Sequence, residues 1–193
     1  MRGEEADRMR LEGKDITLRP LKDRDEKNII KFANDKRIHR FTHMPYPYKK
    51  KHAREFIRKS KNNWRKKEEY NLAITDRDDN LIGAINLMRF DWRDKKAELG
   101  YWIGKPYRGK GIVPEACRLL INYGFSELKL HRIMIHHAEG NESSRRVIRK
   151  LGGKREGRLR EHLFTGGKYR DSLAYGILKK EWDGRKARRK KNS

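Results

Sequence analysis

Between Glu98 and Ala116 the chain passes from a strand pattern, through a short loop that contains glycines, to a helix pattern. Gly109 and Gly111 let the backbone of this loop approach a ligand closely, because they carry no Cβ. Successive N–H groups in such a loop can converge on an anion, together with the N-terminus of the following helix. The segment therefore predicts a cradle for a phosphate-bearing group, although the glycines alone are more typical of an ordinary tight turn.

Two common phosphate-binding motifs do not fit this loop. The P-loop requires Lys followed by Ser or Thr after its second glycine, and Ile112–Val113 stands at that place. The dinucleotide-binding fingerprint requires a third glycine, which is missing. Positive charge nevertheless surrounds the loop at Lys105, Arg108 and Lys110. The sequence thus indicates anion binding by a different kind of cradle.

Strand and helix patterns alternate along the rest of the chain. Their order is β-α-α-β-β-β-α-β-α-β-β. This order predicts an α/β (α+β) fold with a mixed, mostly antiparallel central sheet of about seven strands flanked by about four helices. The predicted strands cover residues 15–20, 71–76, 81–88, 97–103, 132–136, 153–159 and 169–178, and the predicted helices cover residues 23–34, 49–67, 114–125 and 142–151.

Charge limits the classes of partner. The chain carries 51 Lys and Arg against 27 Asp and Glu, a formal net charge of +24. Both signs are abundant, which is typical of a folded body with an ion-paired surface rather than a disordered polycation. The positive excess favours anionic partners, such as nucleic acid, an acidic protein, a ribosomal surface or a phosphate-bearing cofactor; the alternative is that it serves solubility alone.

The length of 193 residues predicts a single domain. We expect a loose segment at 1–13, the domain at 14–182 and a basic tail at 183–193, which is either solvated or bound to an anionic surface. Cys117 is the only cysteine, so no internal disulfide can form. No apolar run approaches the ~20 residues of a bilayer span. A cytoplasmic monomer or homodimer without membrane contact is expected.

The run Tyr101–Ala116 resembles motif A of the GNAT superfamily of N-acetyltransferases. That motif has Gln or Arg, two residues, Gly, one residue, and then Gly or Ala. Arg108, Gly111 and Val113 occupy these places. Val113 departs from the expected small residue, and Pro114 removes one N–H from the loop-to-helix junction.

Three further blocks resemble the same superfamily. Gly140–Gly153 is similar to the family's Asn-x-x-Ser helix, Glu156–Trp182 to its closing hairpin, and Ile16–Leu21 to its opening strand. Together the blocks extend from about residue 15 to 182, in the family's order and spacing. They are most similar to the branch that acetylates the N-termini of ribosomal proteins, whereas related branches act on polyamines, aminoglycosides and other small amines.

The resemblance implies a sheet splayed between its fourth and fifth strands, with the pantetheine arm of acetyl-CoA beside Glu98–Ile103. It also implies direct transfer, with both substrates bound together and no acyl-enzyme. The cofactor-binding residues that it implies are Trp102, Ile103, Arg108, Gly109, Lys110, Gly111, Ile112, Val113, Asn141 and Ser144.

Two residues are candidates for proton transfer. Glu98 is the candidate general base, acting through a water, because strand alternation places it with Gly100 and Trp102 on one face; the alternative is a strand carboxylate paired with a basic side chain. Ser144 matches the family serine near the cofactor sulfur, where a hydroxyl can protonate the leaving thiolate. Asn141 matches the residue that binds the cofactor arm, and Asn is also a preferred helix N-cap.

Other candidates carry weaker signals. Tyr169 and Asp171, on the closing hairpin, are candidate substrate-binding residues, with core packing and a turn-side carboxylate as equal alternatives. Cys117 is expected to be a buried, inert thiol. His136 and His137 lack the spacing of metal ligands, so no metal is expected.

The leading hypothesis is an acetyl-CoA-dependent N-acetyltransferase that acts on the α-amine of a protein N-terminus. One alternative is a small-amine or polyamine N-acetyltransferase, although the positive charge of the chain disfavours a polycationic acceptor. The other is a non-catalytic RNA- or ribosome-binding protein on a GNAT scaffold, which the charge and the basic tail favour.

Overall fold

An eight-stranded sheet runs through residues 9–184, the part of the chain that the computed structural model describes. The strand order is β1-β2-β3-β4-β5-β6-β8-β7, and every neighbouring pair is antiparallel except β5 and β6. The strands are β1 (Leu11–Glu12), β2 (Thr17–Pro20), β3 (Tyr70–Thr75), β4 (Leu81–Asp91), β5 (Lys96–Ile103), β6 (Arg132–Ala138), β7 (Lys154–Thr165) and β8 (Lys168–Leu178).

Five α-helices accompany the sheet within the described residues. Two 3-10 turns, Asp23–Asp25 and Lys105–Tyr107, precede α1 and α4. The architecture confirms the predicted α/β class with a mixed, mostly antiparallel sheet; β1 and α2 are additional to the predicted elements. The helices are α1 (Glu26–Ala33), α2 (Lys36–Phe41), α3 (Lys50–Lys66), α4 (Ile112–Ser126) and α5 (Glu142–Leu151).

The sheet separates two apolar cores. The larger core lies on the side of α4 and α5, where Leu120, Ile121 and Ile148 are fully buried. The smaller core lies on the side of α1 and α3, around Ile29 and Ile57. Each strand contributes alternate residues to opposite faces, so the central strands are covered on both sides.

β5 and β6 pair over only three residues before they separate. Lys96–Glu98 pairs with Arg132–Met134, whereas β5 continues to Ile103 and β6 to Ala138. The splay that the family resemblance implied is therefore present, and it opens just beyond Glu98. Because the two strands no longer satisfy each other's backbone groups there, this gap is available to a ligand.

The start of the described chain differs from the expected loose segment through residue 13. Leu11 pairs with Leu18 and Glu12 pairs with Thr17, so these two residues form the edge strand of the sheet. Residues 1–8 and most of the predicted basic tail, from residue 185 to 193, lie outside the described part. None of the helices between residues 9 and 184 has the length and apolarity that a bilayer span requires.

Candidate active site

The glycine loop adopts a backbone conformation that requires glycine. Gly109 has φ of 78° and Gly111 has φ of 80°, in the left-handed region, and a Cβ at either position would meet no protein atom within 4 Å. The space beside both residues is therefore open to a ligand. The N–H groups of Ile112 and Val113, in the first turn of α4, have no intrahelical acceptor. The loop is thus a cradle of backbone donors that fits a phosphate group.

A cavity of about 400 Å³, here named the loop cavity, opens beside this cradle. Four cationic side chains line it and favour an anionic ligand: Arg37, Arg108, Arg146 and Lys150. Nine of the ten predicted cofactor-binding residues line the same cavity: Trp102, Ile103, Arg108, Gly109, Gly111, Ile112, Val113, Asn141 and Ser144.

Arg108 is held in place by a carboxylate from a distant part of the chain. Its Nη2 donates to Asp35 Oδ2 at 2.8 Å, and the other oxygen of Asp35 accepts the Arg37 N–H at 2.7 Å as the N-cap of α2. Partial burial raises the pKa of Asp35, but the Arg37 amide and Arg108 outweigh this effect and lower it. The glycine loop and α2 are therefore linked by a charge-assisted hydrogen bond.

Two hydroxyl groups meet where β5 leaves β6. The Tyr101 hydroxyl lies 2.8 Å from Ser144 Oγ, and both residues line the loop cavity. Asn141 caps α5 by accepting the Ser144 N–H at 3.4 Å, which fixes the serine at the start of the helix. Burial raises the pKa of Tyr101, so its phenol stays neutral and can take part in a hydrogen bond with Ser144. The sequence interpretation included Asn141 and Ser144 but missed Tyr101.

A second cavity, here named the sheet cavity, lies beside β3, β4 and β5 and measures about 520 Å³. It shares Phe41, Thr42, Tyr101 and Trp102 with the loop cavity. A molecule in one cavity can therefore contact a molecule in the other at this point of β5.

Glu98 lines the sheet cavity and is only 6% exposed. Its carboxylate accepts from Arg89 Nη1 at 2.9 Å and contacts His136 Nδ1 at 3.2 Å. Burial raises the pKa of Glu98, but the hydrogen bond and charge of His136, followed by Arg89, outweigh burial and lower the pKa. Glu98 is thus an ionised carboxylate at the splay. His136 entered the sequence interpretation only as a rejected metal ligand.

The comparison with known protein families decides which chemistry this geometry serves. The model of the "Acetyltransferase (GNAT) domain" matches residues 15–154. The chain belongs to the GNAT acetyltransferase family. It is therefore an N-acetyltransferase, and the motif A glycines Gly109 and Gly111 line the loop cavity.

This acetyltransferase is similar to two proteins of Bacillus subtilis strain 168. "Putative ribosomal N-acetyltransferase YdaF" is 47% identical over 109 residues, 56% of this chain and 60% of that protein. That match spans less than two thirds of the relative. "Probable N-acetyltransferase YjcK" is 34% identical over 174 residues, which cover 87% of this chain and 96% of that protein.

Solved structures agree with the fold of this acetyltransferase. A structure described as a probable acetyltransferase superimposes with a TM-score of 0.82 at 34% identity, covering 90% of this chain and 99% of that chain. The spermidine N-acetyltransferase of Vibrio cholerae, solved in complex with CoA and spermine, superimposes with a TM-score of 0.76 at 26% identity, covering 88% and 99%. A spermidine N-acetyltransferase therefore shares this architecture.

Three predicted site residues of the acetyltransferase lie away from both cavities. The side chain of Lys110 is exposed, and Lys110 lines neither cavity. Tyr169 is 64% exposed on the hairpin of β7 and β8. The Asp171 carboxylate accepts the Glu161 N–H at 2.8 Å and pairs with Arg158. Asp171 therefore stabilises its own hairpin.

Cys117 and His137 are both buried. Cys117 is fully buried on α4, and burial raises the pKa of its thiol. His137 is 5% exposed, and burial, the largest effect, lowers its pKa. Within residues 9–184 no group of three or more His, Cys, Asp and Glu side chains is arranged to hold a metal ion.

Proposed function

We propose that this acetyltransferase transfers acetyl from acetyl-CoA directly to the α-amine of a protein N-terminus. The observation that carries the proposal is the ionised Glu98 with a lowered pKa, at the splay and inside the sheet cavity. Such a carboxylate is a weak base. An α-amine, with a pKa near 8, has a neutral fraction at pH 7.5 about 200-fold larger than a lysine amine near 10.4, so it needs only a weak base.

The loop cavity fits acetyl-CoA. Gly109 and Gly111 leave room where a Cβ would stand, and the N–H groups at the start of α4 have no intrahelical acceptor and can bind an anion. Arg37 and Arg146 add positive charge to the same cavity. Val113 contributes to the larger core and also lines the loop cavity. Acetyl-CoA supplies a reactive thioester carbonyl when it is bound.

Two sets of residues move the protons that the reaction requires. Glu98 accepts the proton of the acceptor amine through a water, and His136 and Arg89 hold the carboxylate in position. Ser144 donates a proton toward the departing sulfur and takes one from the Tyr101 hydroxyl, which in turn takes a proton from solvent while Glu98 releases one to solvent, so neither hydroxyl stays ionised. One proton leaves the amine and one reaches the thiolate, so the charges balance without an acyl-enzyme.

Two buried hydroxyls of the sheet cavity support an extended acceptor. The hydroxyls of Thr165 and Ser172 line it, are buried, and have no hydrogen-bond partner among the described residues. Buried hydroxyls without partners are costly, which favours a polar ligand group such as a peptide amide beside them. We also propose a cytoplasmic location and a contact of the basic surface with the ribosome or its RNA.

A polyamine is the second candidate acceptor. It is favoured by the similarity to the spermidine N-acetyltransferase solved with CoA and spermine. The net charge of +24 opposes it, because the protein repels a polycation at long range.

The test is isotope-labelled acetyl-CoA added to the purified protein with a host cytosolic extract, followed by mass spectrometry. Label on the α-amines of a few proteins establishes the proposed function and identifies the substrates. Label confined to polyamines or other small molecules keeps the enzyme class and overturns the proposed acceptor. The same experiment with the Glu98→Gln variant checks that the label depends on the proposed base.

A further inference from the structure

Glu69 is a second carboxylate of the sheet cavity, and it lies directly before β3. Its Oε2 accepts from Asn63 Nδ2 at 3.1 Å, and its Oε1 accepts from Asn86 Nδ2. Both donors are neutral amides. They fix the orientation of the carboxylate without cancelling its charge.

The other charged groups of the cavity have partners. Arg89 pairs with Glu98 at 2.9 Å, and Lys59 pairs with Glu55 at 2.8 Å. Glu69, by contrast, forms no ion pair with any residue between 9 and 184. Its side chain is partly buried, so its charge is less screened than that of a surface carboxylate. The cavity therefore contains one oriented negative charge that its own residues leave uncompensated.

Gly100 keeps this arrangement possible. It lies opposite Asn86 in the pairing of β4 with β5, and a Cβ on Gly100 would approach Asn86 Oδ1 to 2.6 Å. A larger residue would displace the amide that holds Glu69. Gly100 on β5 thus leaves room for the Asn86 side chain, which in turn holds Glu69.

The sheet register sets the separation between Glu69 and the transfer site. Tyr70 pairs with Leu87, so Glu69 lies beside Met88, which in turn pairs with Glu98. Two strand spacings of 4.7–4.9 Å place the backbones of Glu69 and Glu98 about 10 Å apart. Both carboxylates line the sheet cavity.

We propose that Glu69 binds a second positive charge of the acceptor, about 10 Å from the amine that is acetylated. The proposal rests on the proposed transfer at Glu98. The required chemistry is a protonated amine or guanidinium, and two sources supply it. One is a lysine or arginine at position 2 of a protein N-terminus, since an extended chain advances about 3.3 Å per residue and the long side chain spans the remaining distance. The other is the remote amine of a polyamine.

The experiment measures kcat/KM for three peptides that differ only at position 2, where they carry lysine, norleucine or glutamate. For the native chain we expect the lysine peptide to exceed the norleucine peptide at least tenfold, the effect of one charge-assisted hydrogen bond, and the glutamate peptide to be the poorest. The Glu69→Gln variant keeps the side-chain shape but removes the charge. Its lysine preference should fall below twofold while kcat/KM for the norleucine peptide stays unchanged.

Glu68→Gln is the matched control, because Glu68 is the adjacent, exposed carboxylate and lines neither cavity. It should retain the full lysine preference. A second experiment compares a linear diamine with the monoamine of equal length and identifies the source of the second positive charge. A Glu69-dependent preference that is confined to the diamine assigns the site to polyamines and supports the proposed role of Glu69.

Two outcomes overturn the inference and are distinguishable. The first is that the native chain has equal kcat/KM for the lysine and norleucine peptides, and also for the diamine and the monoamine. This result refutes the role of Glu69 and leaves the proposed transferase intact. The second is the absence of transfer to every amine, with acetyl-CoA still bound in a calorimetric titration, which overturns the proposed function and the role of Glu69 together.

Discussion

The hydroxyl of Tyr101 and the Oγ of Ser144 lie 2.8 Å apart, although 43 residues separate them in the chain. Tyr101 comes from β5 and Ser144 from the first turn of α5, whose N-cap is Asn141. The two strands that flank this pair have already separated, so the hydroxyls face the loop cavity. This contact joins the family serine to a neutral phenol that can replace its proton.

We expect Tyr101→Phe and Ser144→Ala each to lower kcat about 10²-fold, the lower end of the usual contribution of a positioned proton donor. The two hydroxyls form one path, so the double variant should lose no more than about the larger single effect. Initial rates of CoA thiol release at saturating acetyl-CoA measure this. Additive losses, approaching 10⁴-fold, would show that the hydroxyls act separately.

Gly111→Ala should weaken acetyl-CoA binding at least tenfold. An L-residue at a φ of 80° costs about 1–2 kcal/mol, and its Cβ would project into the open space of the cradle. Gly111→Glu should abolish binding, since it also adds an anion. Gly157→Ala is the control, because a Cβ there meets nothing within 4 Å and Gly157 lacks a positive φ. Unchanged calorimetric affinity in Gly111→Glu would refute the cradle.

Local signals in the sequence predicted the helices around the loop cavity well. α5 has the predicted bounds Glu142–Leu151 because an asparagine cap and a following glycine, Gly152 at φ of 80°, mark both ends. α2 was missed, since a six-residue basic helix with one buried residue, Ile38, has too short an apolar pattern to be recognised. β7 extends to Thr165, six residues past the prediction, because an exposed edge strand shows little hydrophobic alternation.

The site residues also divide into those that a local sequence pattern predicts and those that depend on long-range contacts. The glycine loop was predictable because its chemistry is contiguous in the sequence. The contacts of Arg108 with Asp35 and of Asn86 with Glu69 were not, because they span 73 and 17 residues and depend on strand register and helix placement. Asp171 was proposed from its position on the hairpin. Its carboxylate accepts the N–H of Glu161, which lies in a bulge of the neighbouring strand β7.

Arg19→Met should destabilise the fold by about 3–5 kcal/mol, because it leaves the Asp25 carboxylate buried without a counter-ion. Arg19 is 2% exposed and Asp25 3%, and two hydrogen bonds of 2.8 Å join them. Arg77→Met is the matched control: its pair with Asp15 is exposed, so the expected cost is at most about 1 kcal/mol. Urea unfolding measures the free energy of unfolding of both variants. Equal losses of stability would contradict the argument from the difference in burial.

Glu98 should also make stability depend on pH. Its folded pKa is lowered, so its ion pairs contribute stability that is fully present above the unfolded pKa of about 4.3 and is lost as the pH falls through the folded value. Glu98→Gln should therefore lower the melting temperature at pH 7, with a difference from the native chain that shrinks below about pH 4. A difference that stays constant from pH 7 to pH 3 would contradict the lowered pKa.

The activity of Glu98→Gln should recover as the pH rises. At pH 7 we expect kcat/KM for an N-terminal peptide about 10²-fold below that of the native enzyme, because the glutamine cannot accept the amine proton. The α-amine loses that proton to solvent above its own pKa of about 8, so the deficit should narrow by pH 9. Rates from pH 6.5 to 9.5 measure the trend, and Glu68→Gln, with its exposed side chain, should follow the native profile throughout. A deficit that is constant across this range would show that Glu98 positions His136 and is not the general base.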